Sequence, residues 1–156
     1  MTSPLYAANN LIIRAKDSGI SMSHLKLQKL LYMLYACFYA KYGVCLFSER
    51  FEAWPYGPVL TQTYEVFKHY GSKNIGEPCK NLSGRVMIVT EEGCFKECFD
   101  DVWSKFGNHS GSALVSITHS KDSAWYKAWM RDNGLYRGFL EDVHIREDGK
   151  RWFGLA

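Results

Sequence analysis

The sequence predicts a mainly helical (α+β) fold, a compact set of helices around one buried central helix with a small two- or three-stranded β element. Three stretches carry that expectation. The first is residues 23–43, SHLKLQKLLYMLYACFYAKYG. Ser23 can cap the first free amides, and Gly43 can take the left-handed turn that stops a helix. Leu27, Leu30, Leu31, Leu34 and Phe38 form one apolar stripe, while Met33, Ala36, Cys37 and Ala40 make the other face apolar too. A helix apolar all round is a buried helix. Its small residues Ala36, Cys37 and Ala40 would let a neighbouring helix come close. The second stretch places Phe95, Phe99, Val102, Trp103 and Phe106 on one helical face. The third is Trp54-Pro55-Tyr56-Gly57-Pro58, a tight turn, because proline fixes its own φ and pushes the preceding residue out of the helical region.

The other elements follow in order. Ser3-Pro4 starts a first helix, with Leu11, Ile12 and Ala15 as its core face and Asp17-Ser18-Gly19 as its end. Leu46, Phe47, Phe51 and Ala53 are spaced like short extended pieces. Pro58 is expected to start a third helix, with Val59, Thr63, Phe67 and Tyr70 on one face and Gly71 closing it. Residues 72–84 read as loop. Residues 85–89 read as a short strand pairing with the 45–53 region. Thr90 is expected to cap the next helix, with Glu91 and Glu92 at its positive end, and Gly107 to end it. Ser110 opens a shorter helix, and Asp122 or Ser123 caps another that carries Trp125 and Trp129 and stops at Asn133-Gly134. The tail from Leu135 is ambiguous.

The 156 residues match the usual size of one domain, and we expect one over 1–156. Hydrophobic content of 47% and aromatic content of 15% suffice for a real core. The net charge of +3 is too weak to imply nucleic acid by itself. The uncharged run of the central helix is about half what a bilayer span needs, which excludes a membrane reading. An odd count of five scattered cysteines argues against a disulfide framework, and no secretory signal opens the chain. A reduced, cytoplasmic protein is expected.

Candidate functional groups are few. The turn at Trp54 and Tyr56 is either a rigid aromatic platform for a partner or a set of rings pinning the turn onto the central helix. His24 and His119 could pair or cap backbone groups. His24, His69, His109, His119 and His144 lack the closely spaced pairs that zinc sites show. Cys94 and Cys98 share a helix face and could form half a metal site, but no second pair completes it. No cofactor or metal is expected. Arg14, Lys16, Lys26, Lys29 and Lys41 make the first third basic, either as solvated helix ends or as a patch for DNA or an acidic partner. No base-reading second helix and no phosphate loop is present.

The strings LKLQKLLYMLYACFYAKYG, LFSERFEAWPYGPV, VFKHYG, VWSKFG and LVSITHSKDSAW together resemble the Panacea domain of the SocA-like antitoxins of bacteria and prophages. Ala124 stands where proline commonly precedes the family's tryptophan. The resemblance covers residues 5–129. It implies an antitoxin of a two-gene toxin–antitoxin module that binds a protein toxin encoded beside it, with at least one member acting as an adaptor to a protease. It brings no catalytic residues, so a non-enzymatic interaction protein is expected. A DNA-binding regulator, or a prophage-encoded regulatory protein, is the alternative. Trp54 and Tyr56, with Lys26 and Lys29, are the candidate partner-binding residues.

Overall fold

The computed structural model describes all 156 residues. Seven α-helices and one β-hairpin follow in the order α1 (Pro4–Asp17), α2 (His24–Tyr42), β1 (Glu52–Trp54), β2 (Gly57–Val59), α3 (Thr61–Phe67), α4 (Gly93–Phe106), α5 (Gly111–Thr118), α6 (Ala124–Arg131) and α7 (Asp142–Phe153). A single 3₁₀ turn over Lys68–Tyr70 extends α3. Four serines cap helices as expected. The Ser3, Ser23, Ser110 and Ser123 hydroxyls accept from the backbone amides of Leu5, Lys26, Ala113 and Tyr126. Gly43, at φ 70°, ends α2 in the left-handed conformation.

The centre is α2. None of its residues is exposed; Leu31 is fully buried and Phe38 packs half-buried against the core. The other helices and the hairpin wrap it, and α7 makes the most extensive contact. That contact depends on small side chains. A Cβ on Gly149 would lie 2.1 Å from the Ala36 carbonyl oxygen and 2.8 Å from the Ala40 Cβ. The close approach expected along Ala36 and Ala40 is thus made by a glycine of the C-terminal helix. One residue before it, the fully buried Asp148 ties three helices. Its Oδ2 accepts from the Tyr32 hydroxyl at 2.6 Å, and its Oδ1 accepts from Arg151 at 2.6 Å. The first amide of α6, on Ala124, donates to both oxygens.

The hairpin pairs Glu52 with Val59, Ala53 with Pro58 and Trp54 with Gly57. Pro55 and Tyr56 form its turn. The chain returns to its open edge near residue 139. The Ala53 amide donates to Gly138 O and the Leu140 amide to Phe51 O, and Glu52 bridges to Phe139.

Three expectations are corrected. Pro58 belongs to β2, and helix α3 begins at Thr61, three residues later. The sequence offers an ordinary helix start at Pro58, but strand pairing with Ala53 takes that residue, and a proline without an N–H is tolerated in a strand at the edge. Residues 85–89 form no strand with the 45–53 region; they carry only an isolated bridge from Val86 to Lys80. Their backbone is claimed by two buried asparagines of α1. Asn10 Oδ1 accepts from the Val89 amide at 2.8 Å, and Asn10 Nδ2 donates to Val89 O at 2.9 Å. Asn9 accepts at Oδ1 from the Cys79 amide and donates from Nδ2 to Cys79 O and to Met87 O. Finally, Thr90 does not cap α4. The helix starts at Gly93, and the segment before it is fixed by Asn10 and by an ion pair between Glu91 and Arg14 at 3.4 Å.

The seam between α2 and α7 makes a sharp prediction. Gly149→Ala drives a methyl group into main chain that cannot yield, and it should cost about 3 kcal/mol or more. That is a fall in Tm of roughly 6–12 °C, read by calorimetry. A variant that melts with the wild type would show that α7 does not sit on Ala36.

Candidate partner-binding site

The polar residues of α2 do not face water. Lys26 is 5% exposed and Lys29 0%. This corrects the reading of both lysines as solvated helix ends. Lys26 Nζ donates to Gly107 O at 2.6 Å, satisfying a carbonyl at the end of α4. Lys29 Nζ donates to Pro58 O at 2.7 Å and so holds β2. Between them in sequence, Gln28 donates from Nε2 to Thr63 Oγ1 at 2.9 Å and accepts at Oε1 from the Leu60 amide at 3.0 Å. Gln28 thereby fixes the entry to α3. The run Lys26-Leu27-Gln28-Lys29 is a row of internal ties, each to a different element. Three other cations of the first third are paired across the fold, while Arg50 lies over the Phe139 ring at 4.3 Å. Lys41 meets Glu97 and Asp101, Arg14 meets Asp100 and Glu91, and Lys16 meets Glu77. Positive charge at the front of the sequence is met by the acidic 81–110 region and its neighbours, and no free basic patch results from these three.

Above Lys29 opens a cleft of about 380 Å³ between the hairpin, the start of α2 and α3. Gly57, at φ 107°, lets the hairpin settle onto its floor: a Cβ there would stand 2.8 Å from Lys29 Cε and 2.9 Å from Thr118 Oγ1. Trp54 is half-buried in one wall. Its ring packs on Tyr64 at 4.7 Å, its Nε1 donates to Glu52 at 3.1 Å, and the Arg137 guanidinium lies over it at 4.1 Å. Its carbonyl accepts from Trp125 Nε1 at 2.7 Å, tying β1 to α6. Tyr56, in contrast, is 70% exposed at the turn. The reading in which both rings pin the turn onto the central helix is corrected: the Trp54 ring pins it onto Tyr64 of α3, and Tyr56 stands in water.

The site groups carry unusual acid–base character. Burial pulls the Lys29 ammonium down from the ordinary lysine range to about 7. Burial, followed by repulsion from Lys29 and His69, pulls His24 down to about 4. His119 is lowered for the first two of these reasons. His24 and His119 share no bond: His24 meets Gln28 at 3.3 Å, while His119 stacks on Trp125 at 3.7 Å and its buried Nε2 has no partner. Nothing groups three or more metal-ligating side chains. Cys94 is exposed and Cys98 buried, and all five cysteines are free thiols.

The structure adds residues that the sequence did not single out. Leu135, Tyr136 and Phe139, exposed by 73%, 79% and 46%, lie in the segment that runs past Arg137 to the hairpin edge. Arg137 holds a left-handed backbone at φ 47° and lines the cleft. This segment fell in the ambiguous tail, where no periodicity marks it.

A family model described as Antitoxin SocA-like, Panacea domain, matches residues 27–126. The chain belongs to this family. The matched SocA-like segment contains α2 from Leu27 onward, the hairpin and Lys29 at the floor of the cleft; His24, Arg137 and α7 lie outside it. The chain is also 35% identical over 123 residues to Antitoxin SocA of Caulobacter vibrioides (strain NA1000 / CB15N), covering 76% of this chain. The match spans 65% of that relative's length, slightly less than two thirds. No solved structure matches the chain. No helix of this SocA-like protein is long and apolar enough to cross a membrane.

The lowered Lys29 fixes the sign of a pH effect. Folded Lys29 loses its proton near pH 7, whereas in the unfolded chain it does so only in the ordinary lysine range. Between those limits the unfolded chain holds more protons, so the native state gains up to about 1.4 kcal/mol per pH unit from this group. Below about pH 7 both states are charged and the contribution stays at its least favourable value. Lys29→Met removes the effect. The unfolding free energy of wild type relative to that variant, from denaturant melts, should rise between pH 7 and pH 9. A pH-independent difference would leave Lys29 with an ordinary affinity for its proton.

Proposed function

We propose that this protein is an antitoxin that neutralises a cognate protein toxin by direct contact, and that the toxin is encoded beside it. The observation that carries this reading is family membership together with 35% identity to a protein named Antitoxin SocA. The geometry supports an interaction surface. Large side chains, Tyr56 and Tyr136 among them, stand exposed next to a rigid hairpin that is tied to α2 through Lys29 and to α6 through Trp125. Exposed aromatic anchors on a fixed scaffold are what partner recognition uses. The free thiols fit a reducing cytoplasm as the place of action.

The test is co-expression with each neighbouring reading frame that stops growth by itself, followed by inhibition of the purified toxin. Inhibition without any protease marks direct neutralisation; a toxin that stays active until a protease is added marks delivery to that protease instead. Failure to rescue any toxic neighbour would overturn the antitoxin reading. Within a working pair, Tyr56→Ala should weaken binding about tenfold or more with stability changed by less than about 0.5 kcal/mol, because the ring is mostly in water. Trp54→Ala should lower both neutralisation and melting temperature, since that ring is packed between Tyr64 and Arg137.

A further inference from the structure

The charged groups lining the cleft are all cationic. Lys29 lies under the floor, and Lys68 and Arg137 stand at the sides; His24 also lines it but is neutral, and no aspartate or glutamate does. Lys68 is already paired with Glu65 at 2.5 Å, and Glu52 accepts from the Trp54 indole at 3.1 Å. Lys29 and Arg137 have no anionic partner. For Lys29 this is unusual, because an ammonium removed from water is costly unless a counter-charge compensates it. Its one bond is to a neutral carbonyl.

The walls are aromatic. Trp54 and Tyr64 face the cleft, Tyr56 stands at its rim, and Leu135 and Tyr136 expose their side chains directly before Arg137. Apolar surface lines the cleft on two separate segments, the hairpin at Trp54, Pro55, Tyr56 and Val59 and helix α3 at Tyr64. A carboxylate set between apolar side chains satisfies both features at once. It would place its charge opposite Arg137 and over Lys29, with its flanking side chains against Tyr56 and Tyr64.

We propose that this cleft receives an acidic side chain, aspartate or glutamate, from an apolar segment of the partner protein, with Arg137 and Lys29 as its counter-charges. The proposal rests on the reading of the protein as a direct binder of another protein and names the chemistry by which it binds. A bound carboxylate also stabilises the protonated form of Lys29, so binding should draw in a proton near neutral pH and weaken as pH rises. The other titratable groups facing Lys29 are His24 and His119, and both are held neutral there by burial and by Lys29 itself.

The experiment uses the full chain and two capped peptides, acetyl-Phe-Asp-Phe-amide and acetyl-Phe-Asn-Phe-amide, with adenosine monophosphate as a third probe. The readout is the indole N–H resonance of Trp54, assigned with Trp54→Phe. The aspartate peptide should shift that resonance and bind about tenfold or more tightly than its asparagine twin. Arg137→Gln, at the surface, and Lys29→Met, in the interior, should each erase the preference while the amide spectrum stays folded. Equal binding of the two peptides, or tighter binding of the nucleotide, overturns the proposal. If Arg137→Gln neutralises a toxin as well as wild type does and the peptides are not distinguished, the antitoxin reading stands and the acidic anchor falls. If the aspartate preference is present but no neighbouring gene product is toxic, the cleft chemistry stands and the antitoxin reading falls.

Discussion

Everything in this fold answers to a helix that has no side left for water. Helix α2 buries its leucines without difficulty, but it also buries Lys26, Gln28, Lys29 and Tyr32. A buried donor that finds no acceptor costs about 1–3 kcal/mol, and more when it is charged. Each of these four groups therefore has to meet a particular backbone or side-chain atom. Lys26 meets the end of α4, Gln28 the start of α3, Lys29 the hairpin and Tyr32 the Asp148 carboxylate of α7. Apolar packing alone would let the wrapping elements slide. These polar ties set where each of them stops.

The same constraint produces the cleft. Lys29 must reach Pro58 O, so the hairpin is drawn down onto α2, and Gly57 is the residue small enough to permit it. Once the hairpin is seated, Trp54 rests on Tyr64 and under Arg137, and the turn at Tyr56 projects into solvent. A buried cation answered only by a carbonyl then lies beneath an aromatic opening. The structural demand on α2 and the shape of the surface above it have one origin.

Much of this was legible in the sequence because it is local. The serine caps, the Gly43 stop, the apolar girth of α2 and the proline-bracketed turn each depend on residues a few positions apart, and the strings that mark the family lie in these elements. The illegible parts involve partners far apart in sequence. Asn9 and Asn10 look like ordinary polar residues of a helix face, yet they take the backbone bonds that a strand would have given to residues 85–89. Helix α7 hides its inner face because that face is built from Ile145, Asp148 and Gly149. An aspartate and a glycine add no hydrophobic periodicity, although one ties three helices and the other lets α7 settle against Ala36 and Ala40.

By itself the amino-acid sequence determined the helical class, the identity of the central helix and the family, since all three rest on spacing and short-range chemistry. Only the tertiary structure decided which charges are spent inside and which stay at the surface. Lys26 and Lys29 read as surface lysines until α4 and the hairpin close over them, and Arg137 reads as tail until that tail folds back beside Trp54. Burial and charge compensation belong to the space between elements, and a linear pattern holds no record of that space.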